Sequence, residues 1–158
     1  MSACLVGRPV RYDGAAKPVH QALFERWRAE GRLVPFCPEV SGGLPVPRPP
    51  AELTGPADAV LDGTAEVRTA DGTDVTAPFV RGARLALEAA ERAGARMAIL
   101  KESSPSCAVR HTYDGTFTGT RTPGSGITTA LLRRAGLRVF NENDLDAAAD
   151  YLAELESR

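Results

Sequence analysis

The chain has 158 residues, 43% of them hydrophobic and 25% charged, with a formal net charge of −1. One domain with a buried core is expected from that length and balance, and disorder of the whole chain is excluded. The near-zero charge gives no pull toward nucleic acid or an anionic membrane, and no apolar run approaches the roughly 20 residues of a membrane helix.

The first residues, MSACLVGRPVRYDG, lack the basic start and long apolar centre of a signal peptide, so the cytoplasm is the expected compartment. Disulfides are disfavoured there, and an odd count of three cysteines points to reduced thiols that are buried, reactive or metal-bound.

In chain order, SACLVG (2–7) reads as a buried strand, followed by a polar loop. His20, Leu23, Phe24 and Trp27 recur at helical spacing and predict a helix over 18–30, closed by Gly31. RLVPF (32–36) predicts a second strand that delivers Cys37. The proline- and glycine-rich run 41–50 is expected to be irregular, because proline removes donors and fixes φ.

Residues 59–76 predict a small β-hairpin insertion around Asp71 and Gly72. Phe79, Ala83, Ala86, Leu87 and Ala90 predict a helix over 76–93, and ARMAIL (95–100) a third strand. A polar segment, KESSPSC, comes next, and then a long irregular stretch rich in Gly and Thr. A helix over 125–135, a strand over 137–141 and a last amphipathic helix marked by Leu145, Ala148, Ala149, Leu152 and Leu155 complete the chain, with Asn143 as the expected N-cap.

Strands alternating with helices predict a single-domain α/β fold spanning 1–158. Its sheet is expected to be mostly parallel and Rossmann/flavodoxin-like, with helices on both faces. Cys37 and Cys107 then follow strands, and Cys4 lies in or at the end of one, on the edge where open α/β sheets bind ligands.

Buried cysteines often only pack, and Cys4, inside an apolar run, suits that alternative best. Three thiolates at one place would suit zinc with a fourth ligand, for which His111 is the candidate. They would equally suit a [4Fe–4S] cluster with one iron left open to an outside group.

The stretches SACLVG with RYDG, FCPEVSGGLPVPRPPAE, LKESSPSC, YDGTFTG and GSGITTALLRRAGLRVFNE carry a further signal. On them the chain resembles the DUF523 proteins, whose characterised members are the thiouracil desulfidases, from residue 2 to about 142. The resemblance implies an oxygen-sensitive cytoplasmic enzyme with a [4Fe–4S] cluster on Cys4, Cys37 and Cys107. Its open iron would take the sulfur of a thiolated pyrimidine while water replaces that sulfur, giving uracil and sulfide. Glu39 matches the family's catalytic carboxylate and Ser104 its serine.

The residue types suit the reaction. Iron withdraws electron density from a soft C=S sulfur, and a carboxylate two residues from a ligand cysteine can serve the attacking water. Asp13, after the first strand, and Ser103 and Ser106, beside Ser104, are candidate substrate contacts, each with a plain alternative as a turn or cap residue. The expected partner is a small thiolated base or nucleoside, with nucleic acid disfavoured by the charge. The other reading is a non-catalytic iron–sulfur module that senses oxygen or stores sulfur. Such a module has no need of Glu39.

Overall fold

In the computed structural model, which describes residues 1–158, Ser2 forms a parallel bridge with Phe36 and the chain then turns into a 3₁₀ helix, Ala3–Val6. The expected first strand is therefore corrected to a single bridge and a helical turn. Ser2 N–H donates to Ile99 O at 3.0 Å and Ala3 N–H to Phe36 O at 2.9 Å, after which Leu5 N–H turns back to Ser2 O at 3.0 Å. A short apolar run has the same pattern in a buried strand and in a buried helical turn, so periodicity alone does not separate them.

α1 spans Ala22–Ala29 and buries Phe24 and Trp27, while His20 lies before it and is exposed. Gly31, with φ 69, ends it as expected. The predicted strand 32–36 is corrected as well. Only Phe36 bridges, and Pro35 has no N–H to extend a ladder.

α2, Pro38–Ser41, follows at once, with Cys37 at its N-cap position and Pro38 in its first turn. The proline run beyond it contains a cis Val46–Pro47 bond and leads into β1, Ala51–Leu53.

The first arm of the expected hairpin is a helix, α3, Ala57–Leu61, which buries Ala57 and Val60. Gly63, with φ 83, lies just past this helix end rather than in a strand turn. β2, Val67–Thr69, pairs antiparallel with β1, and a bridge between Arg68 and Asp74 closes the turn at Asp71–Gly72.

α4, Thr76–Arg92, and β3, Met97–Leu100, lie where the sequence places them. The stretch expected to be irregular contains an antiparallel pair, β4, His111–Tyr113, with β5, Arg121–Pro123. α5, Ile127–Arg134, leads to β6, Arg138–Asn141, and then to α6, Leu145–Glu156. The N-cap residue of α6 is Asp144 rather than Asn143, whose N–H donates to Asn141 Oδ1 at 2.8 Å.

β3 and β6 form a parallel pair, with Ile99 opposite Phe140. Their alternating side chains feed two cores. Ile99 and Phe140 pack with Leu5, Phe24, Trp27 and Leu145, while Ala98, Leu100 and Val139 pack with Cys107, Val109 and Leu132. Burial on both faces explains why these strands read as continuous apolar runs.

A third core joins β1, β2, α3, α4 and α5 through Leu53, Val67, Phe79 and Ile127. The architecture is a mixed α/β fold with three two-stranded ladders. No helix is long and apolar enough to cross a membrane.

Candidate active site

Close backbone contacts bring the key loops together. An added Cβ on Gly42 would lie 2.1 Å from Pro78 O, and one on Gly82 would lie 1.9 Å from Pro38 O. Two glycines thus let the short helix carrying Cys37 and Glu39 lie directly on α4.

Gly126 plays the same part at the start of α5, where a Cβ would lie 2.3 Å from Ser106 O and 2.6 Å from Cys107 N. Gly126 N–H donates to Ala108 O at 2.8 Å, Ile127 N–H to Pro105 O at 3.0 Å and Thr128 N–H to Ser106 O at 2.9 Å. The helix's free donors are therefore occupied by the cysteine loop, as helix starts require, and are not open to an anion.

Glu102 organises the same loop. Its Oε1 accepts N–H groups from Ser103 (3.2 Å), Val109 (2.9 Å), Arg110 (3.1 Å) and His111 (3.2 Å), and its Oε2 accepts the Asn141 amide at 2.6 Å. Burial pushes this carboxyl up, but the hydrogen bonds outweigh it and leave it below the ordinary glutamate range. Glu142 continues the network, accepting Glu102 N–H at 2.8 Å and Lys101 Nζ at 2.7 Å.

These supports surround a cavity of about 620 Å³ lined by Cys4, Cys37, Cys107, Glu39 and Ser104. All three cysteines are free thiols. Burial pushes the Cys4 thiol up to about 11, opposed mainly by Arg11. Burial also raises Cys37, opposed by the Val40 N–H, and raises Cys107, opposed by the Ser2 hydroxyl. Buried thiols of this kind hold their protons until a cation replaces them.

Glu39 is buried, and so is Arg48, which meets it. Arg48 Nε donates to Glu39 Oε2 at 2.7 Å, and Nη2 lies in ion-pair contact with the same oxygen at 2.5 Å. The remaining donors reach Pro45 O at 3.1 Å and Val10 O at 2.9 Å. The guanidinium thus compensates a carboxylate that burial alone would strongly disfavour.

Ser104 Oγ donates to the other oxygen, Glu39 Oε1, at 3.3 Å, and accepts the N–H groups of Ser106 and Cys107, each at 3.2 Å. One serine thereby ties the carboxylate to the cysteine loop.

The other sequence candidates divide. Ser103 lines the cavity. Ser106 is 1% exposed and lies outside the lining, and its hydroxyl has no partner. Asp13 is exposed and accepts Ala15 N–H at 2.9 Å as a turn residue, so the structure does not bring it into the cavity. His111 is exposed on β4, away from the thiols' cavity. Sequence reasoning missed Arg48, whose signal was an arginine inside a proline run after a carboxylate, and Glu102, whose signal was an acid directly after a buried strand.

Known proteins share the sequence and the fold. The sequence matches the 2-thiouracil desulfurase family over residues 1–144. It is 43% identical over 150 residues to the uncharacterised protein YbbK of Bacillus subtilis strain 168, covering 92% of this chain and 96% of that protein. The fold superposes on the solved [4Fe-4S]-dependent thiouracil desulfidase TudS with a TM-score of 0.89 at 50% identity, covering 96% of this chain and 95% of that one. With 144 of its 158 residues inside the match, the chain belongs to the 2-thiouracil desulfurase family.

Proposed function

We propose that the chain is a [4Fe–4S]-dependent desulfidase that converts a thiolated pyrimidine such as 2-thiouracil to uracil and sulfide. The observation that carries this reading is the shared cavity, in which three thiols face the one buried carboxylate and its serine.

The chemistry of the donor set suits a cluster, since three soft thiols border one cavity. Cys4, Cys37 and Cys107 would hold the cluster, which when bound supplies a Lewis acid for the soft sulfur of a thiocarbonyl.

The chain's own residues supply the rest. Arg48 occupies Glu39 Oε2, which leaves Oε1, with one hydrogen bond from Ser104, as the oxygen free to take a proton from water. Oxygen from that water replaces sulfur on the ring carbon. Sulfide leaves with its electron pair and the reaction is redox-neutral. Ser104 holds the carboxylate in place and keeps the Cys107 loop at a fixed distance from it. A sensor or storage module has no use for such an acid–base pair.

On the same reading the whole chain, 1–158, acts as one cytoplasmic unit on a small base or nucleoside rather than on nucleic acid. We also read the sheet as a contracted flavodoxin-like one. Bonds from Ala3 to Phe36 and from Ser2 to Ile99, beside the β3–β6 ladder, support the order 36, 2, 99, 140.

Anaerobic reconstitution followed by incubation with 2-thiouracil tests the function. Stoichiometric uracil and sulfide are expected. Cluster-loaded protein that binds the thiobase and releases no sulfide would overturn the reading.

A further inference from the structure

Two non-glycine residues of the chain have left-handed backbone, Ser103 with φ 68 and Phe117 with φ 56, and both line the cavity of the three thiols. Ser103 is explained by the Glu102 network around it. At Phe117 the fold holds the backbone but gives the side chain no core to fill. A residue with a bulky side chain is an outlier in that region of φ, and strained backbone of this kind is kept where function uses it.

The strain is held from below. Glu52 Oε1, on β1, accepts Gly115 N–H at 2.9 Å and Phe117 N–H at 3.3 Å. Gly115 has φ 91, and a Cβ there would lie 2.8 Å from Leu53 O, so the tip of the β4–β5 hairpin is seated on β1. Asp114 Oδ1 accepts Thr116 N–H at 3.0 Å, and the Thr116, Thr118 and Thr120 hydroxyls are linked at 2.6 and 2.8 Å.

All this fixes the backbone. The aromatic side chain it presents is half-buried and belongs to none of the three hydrophobic cores. A phenylalanine held by backbone devices, lining a cavity and packing in no core, has its apolar face reserved for something that enters.

We propose that Phe117 is a substrate contact whose ring holds the planar heterocycle in the cavity, and that Glu52 is the positioning residue that keeps it there. This inference rests on the desulfidase reading for the identity of the heterocycle. The physics is that of a base against an aromatic side chain, which tolerates changes at the ring's substituents because every base has a π-face. Phe117 is therefore expected to grip uracil as it grips 2-thiouracil, whether or not sulfur is present.

The test compares cluster-loaded wild type with Phe117→Ala and Phe117→Gly. It measures the Kd of uracil, the KM for 2-thiouracil and the thermal midpoint. Loss of the stacked ring is expected to raise Kd and KM about tenfold in both variants alike. Stability is expected to move differently, because glycine accepts φ 56 without penalty and alanine does not. Phe117→Gly should melt roughly 2–4 °C above Phe117→Ala.

If Phe117→Ala loses thermal stability but binds uracil as wild type does and keeps its KM, the residue only packs and the proposal is wrong. If wild type releases no sulfide but uracil affinity still falls in both variants, the contact stands and the desulfidase reading fails. If wild type releases sulfide but neither it nor the variants bind uracil, the desulfidase reading stands and the proposed contact fails.

Discussion

Gly126→Ala isolates the contact between α5 and the cysteine loop. The backbone at Gly126 has φ −74, which any residue adopts, so conformational strain plays no part. The new methyl would lie 2.3 Å from Ser106 C and O and 2.6 Å from Cys107 N, all backbone atoms. An ordinary carbon contact needs roughly 3.5 Å, so the loop or the helix must move by about 1 Å. Neither moves freely, because the N–H groups of Gly126, Ile127, Thr128 and Thr129 and the Thr129 hydroxyl all bond to carbonyls of residues 105–108.

Overpacking of this size costs about 1–3 kcal/mol, and near 2 kcal/mol the midpoint falls by roughly 4–8 °C. A displacement of about 1 Å at the catalytic geometry costs on the order of 100-fold in kcat/KM. Thermal denaturation, iron per chain after reconstitution and sulfide release measure the three effects. An alanine variant with wild-type stability, full iron and full turnover would show that the close approach does not hold Cys107, and the account of the loop would have to be abandoned.

Glu39→Gln is expected to retain iron and to lose at least about 100-fold in sulfide release, since the shape remains and the base does not; loss of iron would assign Glu39 a structural role instead. Arg48→Met strands a buried carboxylate and should cost about 3–5 kcal/mol, measured by urea denaturation. Adding Glu39→Gln to it should recover much of that loss, and independent, additive effects would contradict the pairing. Glu102 sits below its ordinary range when folded, so its contribution is present above the unfolded value near 4.3 and is lost as the pH falls through the folded value. Glu102→Gln should therefore flatten the acid limb of the stability curve, and an unchanged limb would rule out the carboxylate as the loop's organiser. Replacing Cys4, Cys37 or Cys107 singly by Ala should lower the iron content of the reconstituted protein, and full loading of any one variant would remove that residue from the ligand set.

Long helices and doubly buried strands were legible because their patterns persist. α4 and the β3–β6 pair lie where their apolar spacing puts them. SACLV and RLVPF were misread because each is too short for periodicity to decide, and because Pro35 and the Ser2 hydroxyl divert the hydrogen bonds that a strand would use. The segment expected to be the first arm of the hairpin at Asp71–Gly72 begins instead with a helix that Ala57 and Val60 hold in the core.

The thiols, Glu39 and Ser104 were visible as residues in specific motifs. Their supports were not, since Arg48 and Glu102 gain meaning only from partners distant along the chain, such as Val10 and Asn141. Phe117 is legible only in φ, which composition does not reveal.

The thiols that border the cavity come from a 3₁₀ turn at the start of the chain, from the head of α2 and from a loop beyond β3. If these three thiols hold the cluster, as proposed, no single local peptide carries all of its donors. A nascent chain that has emerged only to residue 100 offers two of the three sulfurs, without the loop that α5 must still clasp. On the proposed ligand set, all three donors stand together only after the segment that carries Cys107 has been made.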